Sequence, residues 1–205
     1  MFKKSFIDLD YVYGLLRNSD GENPLNYHAL MENPAELLVV ATDAHTGKVK
    51  YFDKRNIRQD HYDILKASSA IPFVCRPYAV DGILYYDGAL GDPVPVQKAF
   101  ECGCDRVVVI LSRPVQDKRT PEKDTRLASH IQKKYPVSAH RLRDRAKRYN
   151  EGVSLHLDYQ KEGRVLIISP DDTCGVDTLT RNKSAMNQLY DKGYQDASKI
   201  EEFMR

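Results

Sequence analysis

Asp81-Gly82-Ile83-Leu84-Tyr85-Tyr86-Asp87-Gly88-Ala89-Leu90-Gly91-Asp92-Pro93-Val94-Pro95 is the stretch on which the reading of this chain turns. Asp81-Gly82 stands before a short apolar run, Ile83–Tyr86, where a hairpin turn is expected. Asp87 closes that run and precedes Gly88, so a carboxylate is predicted to emerge at a strand end, next to a residue free of the usual backbone restrictions. Taken alone, Asp-Gly is equally the signature of a plain turn. Asp92-Pro93 then offers a helix cap followed by proline at the first helical position, which predicts a helix over Pro93–Glu101 ending at Gly103.

Outward from this stretch lie three β-rich runs, Leu37–Thr42, Arg106–Leu111 and Arg164–Ser169. Their apolar residues are continuous rather than alternating, which suits strands covered on both faces, the habit of parallel sheets. Thr46-Gly47 predicts a hairpin turn between the first run and a second strand reaching Phe52. Helical patterns fall over His61–Ser69, 125–134, 138–151 with Ser138 as cap after Pro136, and 182–203. Leu142, Ala146, Tyr149 and Val153 recur at helical spacing and mark one buried face; Met186, Leu189, Tyr190, Tyr194, Ala197, Ile200 and Phe203 form a similar stripe. The fold class expected is α/β, a mainly parallel sheet flanked by helices, with added C-terminal helices. Residues 1–112 form the core part of a single domain spanning 1–205, and 113–205 form a helical extension with one strand.

The chain has 205 residues, 41% apolar and 29% charged, with 31 Lys and Arg against 29 Asp and Glu for a net charge of +2. That length supports a hydrophobic core without staples. The balanced charge excludes a dedicated nucleic-acid binder, which needs a basic excess for phosphate contacts. The longest apolar runs are far short of the roughly 20 residues that span a bilayer, and the N-terminal Met1-Phe2-Lys3-Lys4 has no apolar segment after it to make a secretory signal. Cys75, Cys102, Cys104 and Cys174 match neither a disulfide framework nor a zinc pattern and read as reduced thiols in a cytoplasmic protein. The six histidines are scattered, so no metal or other cofactor is expected.

Ala67-Ser68-Ser69-Ala70-Ile71-Pro72, Asp87-Gly88-Ala89 and Gly103-Cys104-Asp105 before Val107, preceded by Ala41-Thr42-Asp43 and Thr46-Gly47, together resemble in order and spacing the second half of patatin-like phospholipases. The resemblance is close over about residues 36–112. It implies hydrolysis of lipid acyl esters by a Ser-Asp dyad, with the serine in a Gly-x-Ser-x-Gly elbow, a glycine-rich oxyanion loop near the N-terminus, and the base in Asp-Gly-Ala. Asp87 matches the base and Gly88 its partner. The chemistry is sound, because a positioned carboxylate can take the proton that makes a serine hydroxyl nucleophilic.

None of the eleven glycines forms Gly-x-Ser-x-Gly. Ser68 and Ser69 match a helix-end motif and lack the sharp turn of a nucleophile elbow. The chain is therefore expected to be the base-bearing C-terminal portion of a longer hydrolase, inactive by itself and prone to self-association through an exposed sheet edge. The rival reading is a non-catalytic module that binds lipid or a partner protein. Arg141, Arg143, Arg145, Lys147 and Arg148 crowd five cations into eight positions. That run reads either as a solvated helix face or as a patch for peripheral contact with an anionic membrane.

Overall fold

A computed structural model describes residues 7–177 and 180–205. The first six residues of the N-terminal segment discussed above lie outside them. The chain forms two compact units, one of Met1–Pro93 with Thr120–Ala146 and one of Val94–Arg119 with Lys147–Arg205.

The first unit is built on a four-stranded sheet in the order β2-β1-β4-β3. Its strands are β1 (Leu38–Asp43), β2 (Val49–Asp53), β3 (Tyr78–Val80) and β4 (Ile83–Asp87). Every pairing in it is antiparallel. This corrects the expectation of a mainly parallel sheet. Val39, Ala41 and Thr42 of the β1 run are buried and Leu38 is exposed, and burial does not fix strand direction. The turns do. Asp81 and Gly82, both left-handed at φ 49° and 78°, join β3 to β4 in a two-residue hairpin that only antiparallel neighbours can use. The β1–β2 turn is held by the Asp43 carboxylate, which accepts the His45 and Thr46 amides at 2.8 Å each, and Gly47 supplies φ 67°.

Alternation along β4 distributes its side chains between two cores. Tyr85 joins Val39, Ala41, Phe52, Ile57, Tyr62, Ile64, Ala67 and Val80 on one side, where α3 (Asp63–Ser68) packs. Tyr86 joins Ala44, Leu90, Ala128, Ile131, Tyr135, Ala139 and Leu142 on the other, supplied by α5 (Glu122–Ile131) and α6 (Pro136–Arg143). Tyr135 meets the Tyr86 ring edge to face at 5.5 Å, and burial raises the Tyr86 phenol above its ordinary pKa. The cap expected at Ser138 is corrected. Pro136 itself opens α6, its fixed φ suiting the first turn, and Ser138 lies inside the helix, donating to the Ala44 carbonyl at 2.7 Å.

A short N-terminal helix, α1 (Leu9–Arg17), is tied to α3 and β3 through charge. Lys66 donates to Asp10 at 2.8 Å and to the Tyr78 hydroxyl at 3.1 Å, and that hydroxyl donates to Asp10 at 2.6 Å. Hydrogen bonds from Lys66 and then Tyr78 hold the Asp10 carboxyl below its ordinary range. Burial together with the bond to Asp10 pushes Tyr78 up to about 12. A depressed carboxyl favours the fold above its unfolded pKa, and the advantage disappears as pH falls through the folded one. A raised phenol does the opposite, its contribution fading as pH rises past about 10. Asp10→Asn is therefore expected to melt below the parent at neutral pH, with the two curves converging below about pH 4; a gap independent of pH would contradict this.

The second unit contains α4 (Val96–Glu101), β5 (Val107–Ile110), most of α7 (Arg145–Lys161), β6 (Val165–Ile168), α8 (Lys183–Asp196) and α9 (Lys199–Met204). Here β5 and β6 do pair in parallel, the direction that a long crossover between strands permits. Val96, Val109, Leu111, Tyr149, Val153 and Val165 form its core. Leu142, Ala146, Tyr149 and Val153 are all buried as expected, but the helix expected over 138–151 is divided at Asp144, so that Leu142 on α6 joins the core of the first unit while Tyr149 and Val153 on α7 join this one. Two further expectations fail here. The helix beginning at Pro93 starts instead at Val96, because the Val94-Pro95 step disfavours helical backbone before the second proline. The helix expected over 182–203 is broken into α8 and α9, and of its stripe Met186, Tyr190 and Tyr194 face outward, the tyrosines 70% and 76% exposed, while Leu189, Ile200 and Phe203 are half-buried.

Candidate active site

Asp87 ends β4 directly opposite Ala41 of β1. Its main chain is fixed from two sides. The Asp87 amide donates to the Ala70 carbonyl just beyond α3 at 3.0 Å, and the buried Thr42 hydroxyl donates to the Asp87 carbonyl at 3.0 Å. The carboxylate is oriented as well, its Oδ1 accepting the Ala89 amide at 2.6 Å across a 3₁₀ turn, Gly88–Leu90. That turn closes with the Gly91 and Asp92 amides both donating to the Gly88 carbonyl at 2.9 Å.

Gly88 is required, though for a reason other than the expected one. It is absent from the left-handed glycines. A side chain there would place Cβ 2.5 Å from the Val40 carbonyl oxygen and 2.8 Å from its carbon. Backbone lies against backbone, and neither can yield cheaply. Gly91 is similarly confined, its virtual Cβ 2.5 Å from Val49 Cγ2 and 2.9 Å from Thr42 Oγ1. Gly88→Ala is expected to lower stability by about 1–3 kcal/mol, the usual cost of overpacking. An unchanged urea midpoint would show that the strand and turn are not in contact.

Sequence reasoning missed the supports of this loop. Asp92, taken as a helix cap, instead accepts the Tyr51 hydroxyl at 2.5 Å, pinning the far end of the turn to β2. The segment after α3 forms a tight reversal in which the Cys75 amide donates to the Ile71 carbonyl at 2.8 Å. Burial pushes the Cys75 thiol up, and the Asp87 carboxylate adds a smaller push in the same direction. At the tip of the reversal Phe73 holds φ 74°, a conformation that costs a bulky residue about 1–3 kcal/mol. Of the two serines weighed above, Ser69 shares its hydroxyl with Tyr13 at 2.9 Å.

The five cations of the basic run do different things. Arg145 makes a two-pronged ion pair with Asp124, at 2.6 and 2.9 Å. Lys147 lies 3.9 Å from Glu151. Arg141 covers the β1–β2 turn, its Nε 2.7 Å from a Cβ built on Gly47. Arg143 and Arg148 are half-buried, and the run passes from one unit to the other between Ala146 and Lys147. Among the described residues no group of His, Cys, Asp and Glu could hold a metal ion, and no helix is long and apolar enough to cross a membrane.

Residues 1–100 match the model of the family described as patatin-like phospholipase. That segment is patatin-like. Asp87 and Gly88, with the sheet and hairpins that carry them, thus fall within the patatin-like segment. Residues 135–204 match a second family, described as a domain of unknown function (DUF6363). Among curated relatives, the uncharacterized protein YjjU of Escherichia coli K12 is 39% identical over 66 residues, 32% of this chain and 18% of the relative. The uncharacterized NTE family proteins Mb1092c of Mycobacterium bovis and Rv1063c of Mycobacterium tuberculosis are each 32% identical over 82 residues, 40% of this chain and 22% of theirs. The matched part spans about a fifth of the length of these relatives.

Proposed function

We propose that the patatin-like segment carries the general base of a lipid acyl-ester hydrolase, and that Asp87 is that base. The observation that carries this reading is the immobilised strand end: Asp87 is held through Thr42, Ala70 and Ala89, at a place where Gly88 admits no side chain. Such a carboxylate takes the proton of a serine hydroxyl as its oxygen attacks the ester carbonyl, then returns it to the departing alcohol. Water, deprotonated by the same carboxylate, releases the acyl group. The serine and the oxyanion donors come from outside these 205 residues, which contain no Gly-x-Ser-x-Gly.

The test is reconstitution. The 205 residues alone are expected to give no turnover of p-nitrophenyl butyrate, and fusion behind a patatin-like segment bearing Gly-x-Ser-x-Gly is expected to restore it. Turnover by the unfused chain would overturn the division of labour. The missing elbow also favours a second reading, a non-catalytic module that binds lipid or protein. A fusion that folds, binds ester and stays inert would support that reading. Peripheral attachment through Arg141 and Arg143 of the first unit is a separate part of the proposal, read by flotation with phosphatidylserine vesicles at low and high salt.

A further inference from the structure

The parallel pairing of β5 with β6 leaves the C-terminal ends of both strands on one side of the second unit. Ligands of α/β proteins gather at such an edge, where the loops leaving the strands converge. A hollow of about 460 Å³ opens there, a size that holds a small molecule. Ser169 and Asp171 line it directly after β6, and Gln116 lines it from the loop that follows β5. Lys192, Gln195 and Asp196 come from one face of α8, and Lys199 opens α9 beside them.

The lining is polar throughout, with buried Pro170 its one apolar member among the described residues. Small-molecule pockets are ordinarily mostly apolar, so an acyl chain or an aromatic ring finds no wall here. The charges of the lining also cancel. Lys192 donates to Asp171, and Lys199 donates to Asp196 at 2.7 Å. Two cations against two anions leave no excess of either sign, and an ionic ligand would have to break one pair to form its own. In each pair one partner is half-buried and the other exposed. What each pair offers a ligand is a spare ammonium proton next to a spare carboxylate lone pair, and the Ser169 hydroxyl and the two carboxamides likewise combine donor with acceptor. A hydroxyl group does the same. Adjacent hydroxyls can donate to the carboxylate and accept from the ammonium of one pair without displacing either.

We propose that this hollow binds an uncharged polyol, of the kind found in sugars, whose neighbouring hydroxyls bridge the Lys192–Asp171 and Lys199–Asp196 pairs. The site stands independently of the reading of Asp87.

Titration of the isotope-labelled full chain with myo-inositol, methyl glucoside and methyl galactoside, followed through the backbone amide resonances, tests this. At least one polyol is expected to give saturable shifts centred on Gln116, Ser169, Asp171 and Gln195, half-complete at millimolar concentration and unmoved by added salt. Octyl glucoside separates the sources: affinity equal to that of methyl glucoside marks a free polyol, tighter binding marks a lipid-borne head group, and each upholds the hydroxyl site. Lys192→Met is expected to raise the half-saturating concentration at least about tenfold, the loss of a charged hydrogen bond. Its melting temperature should hold, because a pair open to solvent adds little stability. Gln195→Ala, at an exposed position of α8, weakens binding in the same way and serves if Lys192→Met does not fold. Lys161→Met, which removes an exposed pair with Asp158 on α7, is expected to change nothing. No saturable shift with any of the three polyols, tighter binding of sodium phosphate or glycine than of every polyol, or binding that survives both pocket variants overturns the proposal.

Discussion

Asp87→Asn, introduced into the serine-bearing fusion, is expected to reduce kcat for p-nitrophenyl butyrate by about 100- to 10,000-fold, the range that a positioned general base supplies. The amide is nearly isosteric with the carboxylate, and its carbonyl oxygen can still accept the Ala89 amide that Asp87 accepts at 2.6 Å. The backbone bonds to Ala70 and from Thr42 do not involve the side chain at all. Folding and KM should therefore be little changed, and the loss should fall on kcat, because the amide cannot take the serine proton. A raised KM with kcat preserved would place Asp87 in binding rather than in proton transfer. A parallel fall in melting temperature would make it a structural turn residue, the plain reading of an Asp-Gly step.

The second large effect concerns stability. Asp124→Ala is expected to destabilise the first unit by about 3–5 kcal/mol, the cost of leaving one member of a buried ion pair uncompensated. Asp124 is 5% exposed, and both its oxygens are taken by the Arg145 guanidinium. That guanidinium has only 21% of its side-chain surface in solvent with which to replace the lost partner. Contrast Lys161 and Asp158, whose side chains are 77% and 60% exposed; separating such a pair costs about 0–1 kcal/mol. Asp124→Ala combined with Arg145→Met should recover much of the loss, since the orphaned charge goes with its partner. Urea midpoints for the two single variants and the double decide the matter. A loss under about 1 kcal/mol for Asp124→Ala would mean that water reaches the pair.

Arg145 also shows what the sequence could and could not reveal. Within the run from Arg141 to Arg148 it looks like one cation among five, and nothing at that spacing announces a partner 21 positions away. The hairpins were legible because their signals are local: Asp81-Gly82 and Thr46-Gly47 demand left-handed backbone, and the structure has it at Asp81, Gly82 and Gly47. Asp87 was legible by the same logic of a strand end. The direction of β1 was not, because an apolar run reports burial and leaves pairing open. Asp92 and Ser138 each carried a genuine capping signature and lost it to a competing hydrogen bond, with Tyr51 and Ala44 respectively. The stripe of Met186, Tyr190 and Tyr194 has helical periodicity, yet periodicity cannot say whether anything packs against it. Phe73 gave no signal at all, since its backbone is dictated by the closure of Ile71 onto Cys75.

The claim at the centre of this account is that Asp87 activates a serine that these 205 residues do not contain. Reaction of the fusion with a fluorophosphonate, followed by mass spectrometry of the adduct over time, tests it most directly. The expected result is a single adduct on the serine of the supplied Gly-x-Ser-x-Gly, forming at least about 100-fold more slowly in Asp87→Asn. An adduct on Ser68, Ser69 or any other serine of this chain, or equal rates with and without the Asp87 carboxylate, would contradict it.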